Sequence, residues 1–168
     1  MSNATTTGRE AQIVADPDIP VITITREFDH PPAKVYRAWA EPELVKQWMG
    51  PRSVDMDIER WDCSTGGGYR YTATRDGEEL AHFYGCFHQA VPGERLVQTF
   101  GFEEMPEAVS LEIMEFEPLD DGTRCRIVSR SIMESMEAQA GMMASGMEVG
   151  VQEGYDKLDE LLAAEGAA

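Results

Sequence analysis

The chain has 168 residues, with 14 Lys and Arg against 31 Asp and Glu, and a formal net charge of −17. That length suits one domain with a sizeable core. The charge argues against nucleic acid, whose phosphates need clustered basic residues, and against anionic membrane surfaces.

Residues 1–20 are polar, carry Pro17 and Pro20 and lack apolar period, so they read as a flexible N-terminal arm whose Ile13 and Val14 could dock on the surface or on a partner subunit. A single domain is expected over 21–165. Val21–Asp29 alternates and is β-branched, which predicts a strand. Pro31-Pro32 then starts a short helix with Val35, Tyr36, Ala38 and Trp39 on its apolar side, and Pro42–Trp48 forms a second, ended by Gly50-Pro51. Strands follow at Val54–Trp61, Tyr69–Arg75, Glu79–Ala90, Arg95–Phe102, Ala108–Glu117 and Thr123–Ser131. Asp76-Gly77, Pro92-Gly93 and Asp120-Asp121-Gly122 supply the turns. Seven strands with short turns predict an antiparallel meander.

From Met133 to Leu162 a helical stripe appears: Met136, Ala140, Met143, Met147, Val151, Gly154, Leu158 and Leu161. This predicts one long amphipathic helix held by the sheet. Glu148, Glu153, Asp156, Asp159 and Glu160 are expected on its solvated face. Gly146, Gly150 and Gly154 each cost about 1 kcal/mol against alanine inside a helix, so close approach to the sheet, a second subunit or a ligand must offset them.

The candidate chemistry is sparse. Gly66–Gly68 lacks the Lys-Ser/Thr ending of a phosphate loop and leads into a strand, so it reads as a turn. His82, Tyr84, Cys86 and His88 share a strand face, but His82 and His88 stand about 20 Å apart and cannot share a metal. Cys63, Cys86 and Cys125 have neither metal spacing nor a disulfide framework. No metal and no cofactor is expected. Asp57, Glu59, His82, His88 and Glu112 are acid–base candidates by position on strands alone. No run approaches the roughly 18 apolar residues of a membrane span, and the N-terminus has no signal-peptide pattern, so a cytoplasmic location is expected.

The run Phe28-Asp29-His30-Pro31-Pro32-Ala33-Lys34-Val35-Tyr36-Arg37-Ala38-Trp39 resembles the opening of the activator-of-Hsp90-ATPase-like family. So do Pro42-Glu43-Leu44, Trp48-Met49-Gly50-Pro51, Gly66-Gly67-Gly68-Tyr69-Arg70, Gly85-Cys86-Phe87, Pro92-Gly93-Glu94-Arg95-Leu96-Val97 and Gly122-Thr123-Arg124. The end, Gly146-Met147-Glu148 with Gly150 through Gly154-Tyr155 and Leu158, Leu161 and Leu162, is similar too. The family lies in the START-like, or Bet v 1-like, superfamily. The resemblance implies an α+β helix-grip fold: a curved antiparallel sheet around a long C-terminal helix, with two short helices after the first strand. It also implies an apolar cavity.

The expected function is a binding protein, rather than an enzyme, for a hydrophobic or aromatic small molecule. Its cavity wall would be Trp48, Trp61, Tyr69, Tyr71, Phe83, Phe100, Ile113, Ile127, Met136, Met143 and Met147. A cyclase- or hydrolase-like enzyme is one rival, and a co-chaperone or regulatory interaction module is another. Chaperone binding is not expected, because only residues 1–20 precede the fold where the co-chaperones carry a further domain. A homodimer is compatible with the glycine-bearing helix face and the arm.

Overall fold

The computed structural model describes residues 10–166. Its eight strands form a single antiparallel sheet in the order β1-β2-β8-β7-β6-β5-β4-β3. They are β1 (Gln12–Ala15), β2 (Val21–Phe28), β3 (Asp55–Trp61), β4 (Gly68–Arg75), β5 (Glu78–Val91), β6 (Arg95–Phe102), β7 (Met105–Leu119) and β8 (Arg124–Ile132). The helices are α1 (Pro32–Ala40), α2 (Pro42–Trp48), α3 (Met136–Ala144) and α4 (Met147–Gly166). This is the helix-grip arrangement expected from the sequence, with the long helix α4 held on the concave face of the sheet.

Alternation explains the inner face. In β2 the inward residues are Ile22, Ile24, Arg26 and Phe28, all buried, and each second residue is less so. The hairpin at Asp76-Gly77 has positive φ at both positions, as a two-residue turn matched to strand twist requires. Bulges interrupt four pairings, at Ile58/Arg60, Ala73/Thr74, Phe87/Gln89 and Gly101/Phe102. Each bends its strand and increases the local twist, which curls the long strands around α4.

The core lies between the sheet and the layer of α1, α2 and α4. Phe28, Val35, Trp39, Phe87, Phe116, Ile127, Leu158 and Leu162 sit at its centre. Trp39 meets Trp48 with ring centroids 4.5 Å apart and Phe116 edge-on at 5.6 Å. The inward Arg26 is buried beneath α4, where its guanidinium meets Asp159 through two hydrogen bonds of 2.9 and 2.5 Å.

Several expectations change here. Residues 1–9 of the expected arm lie outside the described residues. Gln12–Ala15 is not loose chain but an edge strand, paired with Ile22–Thr25 of β2. Ala11 is tied to α4 by reciprocal bonds with the Gln152 amide. The expected unbroken C-terminal helix is two helices. Ser145 closes α3, and Gly146 takes φ +82°, a left-handed conformation that ends the first helix and restarts the chain as α4. Period alone could not show this, because the apolar spacing runs straight across the break.

Nor is the acidic face of α4 merely solvated. Asp159 holds Arg26, Glu153 accepts from the Arg52 backbone N–H at 2.8 Å, and Glu160 binds the Arg52 guanidinium at 2.6 Å. Gly154 fits closely against the α2–β3 connection rather than the sheet: a Cβ there would lie 3.2 Å from the Trp48 carbonyl oxygen.

Candidate functional site

Between the concave face and α4 lies a cavity of about 430 Å³. Strands β3 to β6 contribute an aromatic wall: Trp61, Tyr69, Tyr71, Phe83, Phe100 and Phe102. Trp39 and Trp48 close one end, and Met147, Gly150, Val151, Gly154 and Tyr155 of α4 form the roof. A second chamber of about 650 Å³ adjoins it beneath α3. The two share Phe100, Phe102, Met133 and Met142, so these side chains border both chambers. The outer chamber is rimmed by Met105, Val109, Glu134 and Glu137, all of them exposed.

Three of the aromatic residues that line the inner cavity have their polar ends bonded to the backbone. Trp48 donates its indole N–H to the Ala38 carbonyl at 2.8 Å, and Trp61 donates to the Trp39 carbonyl at 3.0 Å. The Tyr69 hydroxyl donates to the Thr99 carbonyl at 2.7 Å. The rings themselves stack in series: Tyr69 on Tyr71, Tyr71 on Phe83, and Phe83 on Phe100, with centroids 6.2, 4.9 and 5.3 Å apart. Such a row offers a continuous flat surface to an apolar or aromatic body.

A polar strip crosses the floor. Gln98 of β6, Glu112 of β7 and Ser131 of β8 are direct cross-strand partners and all line the cavity. The Ser110 hydroxyl donates to Glu112 Oε1 at 2.6 Å, and the Ser131 hydroxyl donates to Oε2. Glu112 keeps some accessible surface as a cavity residue, yet it lies deep in the protein. Burial therefore pushes its carboxyl above the usual range, against the opposing effect of the two serine bonds.

Of the residues expected at the wall, Trp48, Trp61, Tyr69, Tyr71, Phe83, Phe100 and Met147 line this cavity. The other four lie elsewhere. Ile113 pairs with Val97 and Arg130, one step out of phase with the inward Glu112 and Met114. Along β7 the inward positions are the even ones, so the strand's phase is opposite to that expected. Ile127 does face inward but is fully buried in the core against Phe116 rather than beside the hollow. Met136 stands at the first turn of α3 and is 40% exposed, and Met143 packs half-buried on the core. The break at Gly146 rotates α3 relative to α4, which brings Met142 to the cavity in their place.

The acid–base candidates separate in the same way. Asp57 and His88 are exposed, Glu59 binds Arg70 at the surface, and His82 is held between Glu79 and Glu104. Glu112 alone of the five enters the cavity. Gln98 and the serines around Glu112 escaped the sequence reading. A signal was present, since alternation in β6 and β8 places Gln98 and Ser129 on one face with Phe100 and Ile127. Among the described residues no Lys, Arg, His or Cys lines either chamber. Burial raises the thiols of Cys63 and Cys125 to about 11 and about 12, which suits structural rather than nucleophilic cysteines. The arrangement can hold an apolar body and a polar group beside Glu112.

The family described as Activator of Hsp90 ATPase homolog 1-like protein has a sequence model that matches residues 29–163. A comparison with curated proteins gives no match. Among solved structures, the fold is similar to that of a protein from Arthrobacter aurescens. The two are 26% identical with a TM-score of 0.81, covering 91% of each chain. Protein Ms6760 from Mycobacterium smegmatis is 25% identical, TM-score 0.79, covering 90% of this chain and 95% of that one. A protein from Rhodobacter sphaeroides is 24% identical, TM-score 0.82, covering 92% and 99%.

Proposed function

The chain belongs to the Activator of Hsp90 ATPase homolog 1-like protein family, and from that premise we propose that it binds a hydrophobic or aromatic small molecule between the sheet and α4. The observation that carries this reading is the row of stacked rings Tyr69, Tyr71, Phe83 and Phe100 along a hollow beneath α4, with the Tyr69 hydroxyl and the Trp48 and Trp61 indoles bonded to the backbone and a polar strip on the floor. Burying that much aromatic surface around a void is costly in packing terms, since unfilled space forfeits dispersion contacts. An apolar ligand restores them.

The test is native mass spectrometry of the protein purified from its own host, joined to titration with the neutral fluorophore N-phenylnaphthylamine. A co-purifying small molecule, or saturable probe uptake that Met147→Trp abolishes without loss of folding, supports the reading. A clean apo mass together with no saturable uptake refutes it.

A catalytic reading rests on Glu112, the one titratable carboxyl in the wall, which could give or take a proton from a bound ligand. The hydrogen-bond partners of Glu112 are the hydroxyls of Ser110 and Ser131, and no basic residue among the described residues lines the cavity with it. An interaction module built on the two short helices would need an exposed apolar patch there, and Trp39 and Trp48 are each only 4% exposed. Self-association has a candidate surface in β1, the edge of the sheet among the described residues, where Val14 is exposed, and light scattering tests it.

A further inference from the structure

Glu112 is a charge site without a counter-charge. It sits midway across the cavity floor, with Gln98 and Ser131 as its cross-strand neighbours. Serine hydroxyls donate to both of its oxygens, from Ser110 and Ser131, an arrangement that fits a carboxylate acting purely as acceptor. Neither donor carries charge. Other polar side chains that line the same cavity are neutral as well: Gln98 on β6, Ser129 on β8, Tyr69 and Tyr71 on β4, and Tyr155 on α4. Burial raises all three of those phenols and keeps them protonated. Among the described residues neither chamber is lined by Lys, Arg or His.

A carboxylate buried with no cation destabilises the empty protein, and a ligand that supplies the cation relieves it. The surroundings favour such a ligand at each stage of its approach. The net charge of −17 draws organic cations and repels anions. Glu134 and Glu137 stand on the rim of the outer chamber. Inside, the faces of Trp61, Tyr71, Phe83 and Phe100 carry negative quadrupoles suited to an ammonium group on an apolar body. A ligand carboxylate would meet repulsion at the rim and at Glu112 alike.

Resting on the binding reading above, we propose that the ligand is a hydrophobic amine, its apolar body against the aromatic wall and its ammonium paired with Glu112. The pairing forms no bond and transfers no group. It stabilises the ionised carboxylate, opposing the upward push of burial.

The test is calorimetric titration of the full chain, wild type and Glu112→Gln, with naphthylethylamine, naphthylethanol and naphthylacetate at neutral pH. These share one apolar body and differ in charge. The wild type should bind the amine at least about tenfold tighter than the alcohol, as a desolvated ion pair requires, and the acetate weakest. In Glu112→Gln, which keeps the shape and one acceptor, amine and alcohol should converge to within about twofold on the same scale. High salt should leave the wild-type preference in place, because a buried pair is weakly screened. A second readout needs no variant: on acidification through the Glu112 titration, amine affinity should fall while alcohol affinity holds. If the alcohol binds as well as the amine, or the preference survives in Glu112→Gln, the amine inference is overturned and the cavity reading stands. If none of the three binds saturably, both fall.

Discussion

Asp159→Asn should destabilise the protein more than the removal of its partner Arg26. The Arg26 side chain is 1% exposed, with its guanidinium 4.5 Å over the Phe28 ring. Nη1 and Nη2 reach the two Asp159 oxygens at 2.9 and 2.5 Å. The asparagine keeps one acceptor but turns an NH2 toward a guanidinium NH2, leaving a buried cation without its anion. Breaking a fully buried pair from one side costs about 3–5 kcal/mol. Here Asp159 is 33% exposed, and Asp156, itself 59% exposed, lies 3.9 Å from Nη2 and takes over part of the interaction. The expected loss is therefore about 2–3 kcal/mol, allowing for the weakness of solvated pairs. For a domain of this size that is a fall of about 5–10 °C in Tm. Arg26→Met removes the buried charge and fills the space with apolar atoms, so its cost should stay within about 1 kcal/mol. Equilibrium urea unfolding of both variants and the double variant measures the coupling. A loss below about 0.5 kcal/mol in Asp159→Asn, or a larger loss in Arg26→Met, would refute the reasoning, since either result means that the buried charge does not depend on α4.

Glu112→Gln should raise stability at neutral pH. The folded carboxyl titrates above its unfolded value, so its favourable contribution is complete below the unfolded pKa and lost as pH rises through the folded one. Chemical denaturation across pH should show the glutamine variant's advantage vanishing in acid; an advantage that grows in acid would contradict the burial argument. The two roof glycines should diverge. Gly150→Ala meets only Pro51 Cδ at 3.6 Å and should gain about 0.5–1 kcal/mol of helix propensity. Gly154→Ala presses on the Trp48 carbonyl at 3.2 Å and should lose stability, by about 1–2 kcal/mol in the manner of an overpacked site. Thermal melts that rank the pair the other way would show that α4 is not seated against the α2–β3 connection as described. Leu158→Ala, on the buried face of α4, should cost about 2–5 kcal/mol by urea unfolding, and a cost under about 1 kcal/mol would mean that the helix is loosely held.

The sequence by itself determined the element types, most of their bounds, the antiparallel meander and the family. These follow from local rules: alternation in Val21–Phe28, proline at the starts of α1 and α2, and Asp-Gly at a hairpin that demands positive φ. The aromatic side of the candidate site was legible as well, because large rings at alternate positions of β4 to β6 fall on one face whatever the remainder of the chain does. The phase of β7 was not, since Glu112 and Met114 facing inward while Ile113 faces out runs against simple hydrophobic patterning. A buried carboxyl breaks the local rule, and only neighbouring strands supply the serines and glutamine that make its position tolerable. The helix break at Gly146 was hidden for a related reason: a stripe of apolar residues records spacing along the chain, not whether the backbone between them turns. Which methionine meets the cavity, which α4 carboxylate holds Arg26, and which carboxyl enters the inner cavity were decided by tertiary structure, because each depends on partners more than 10 residues away.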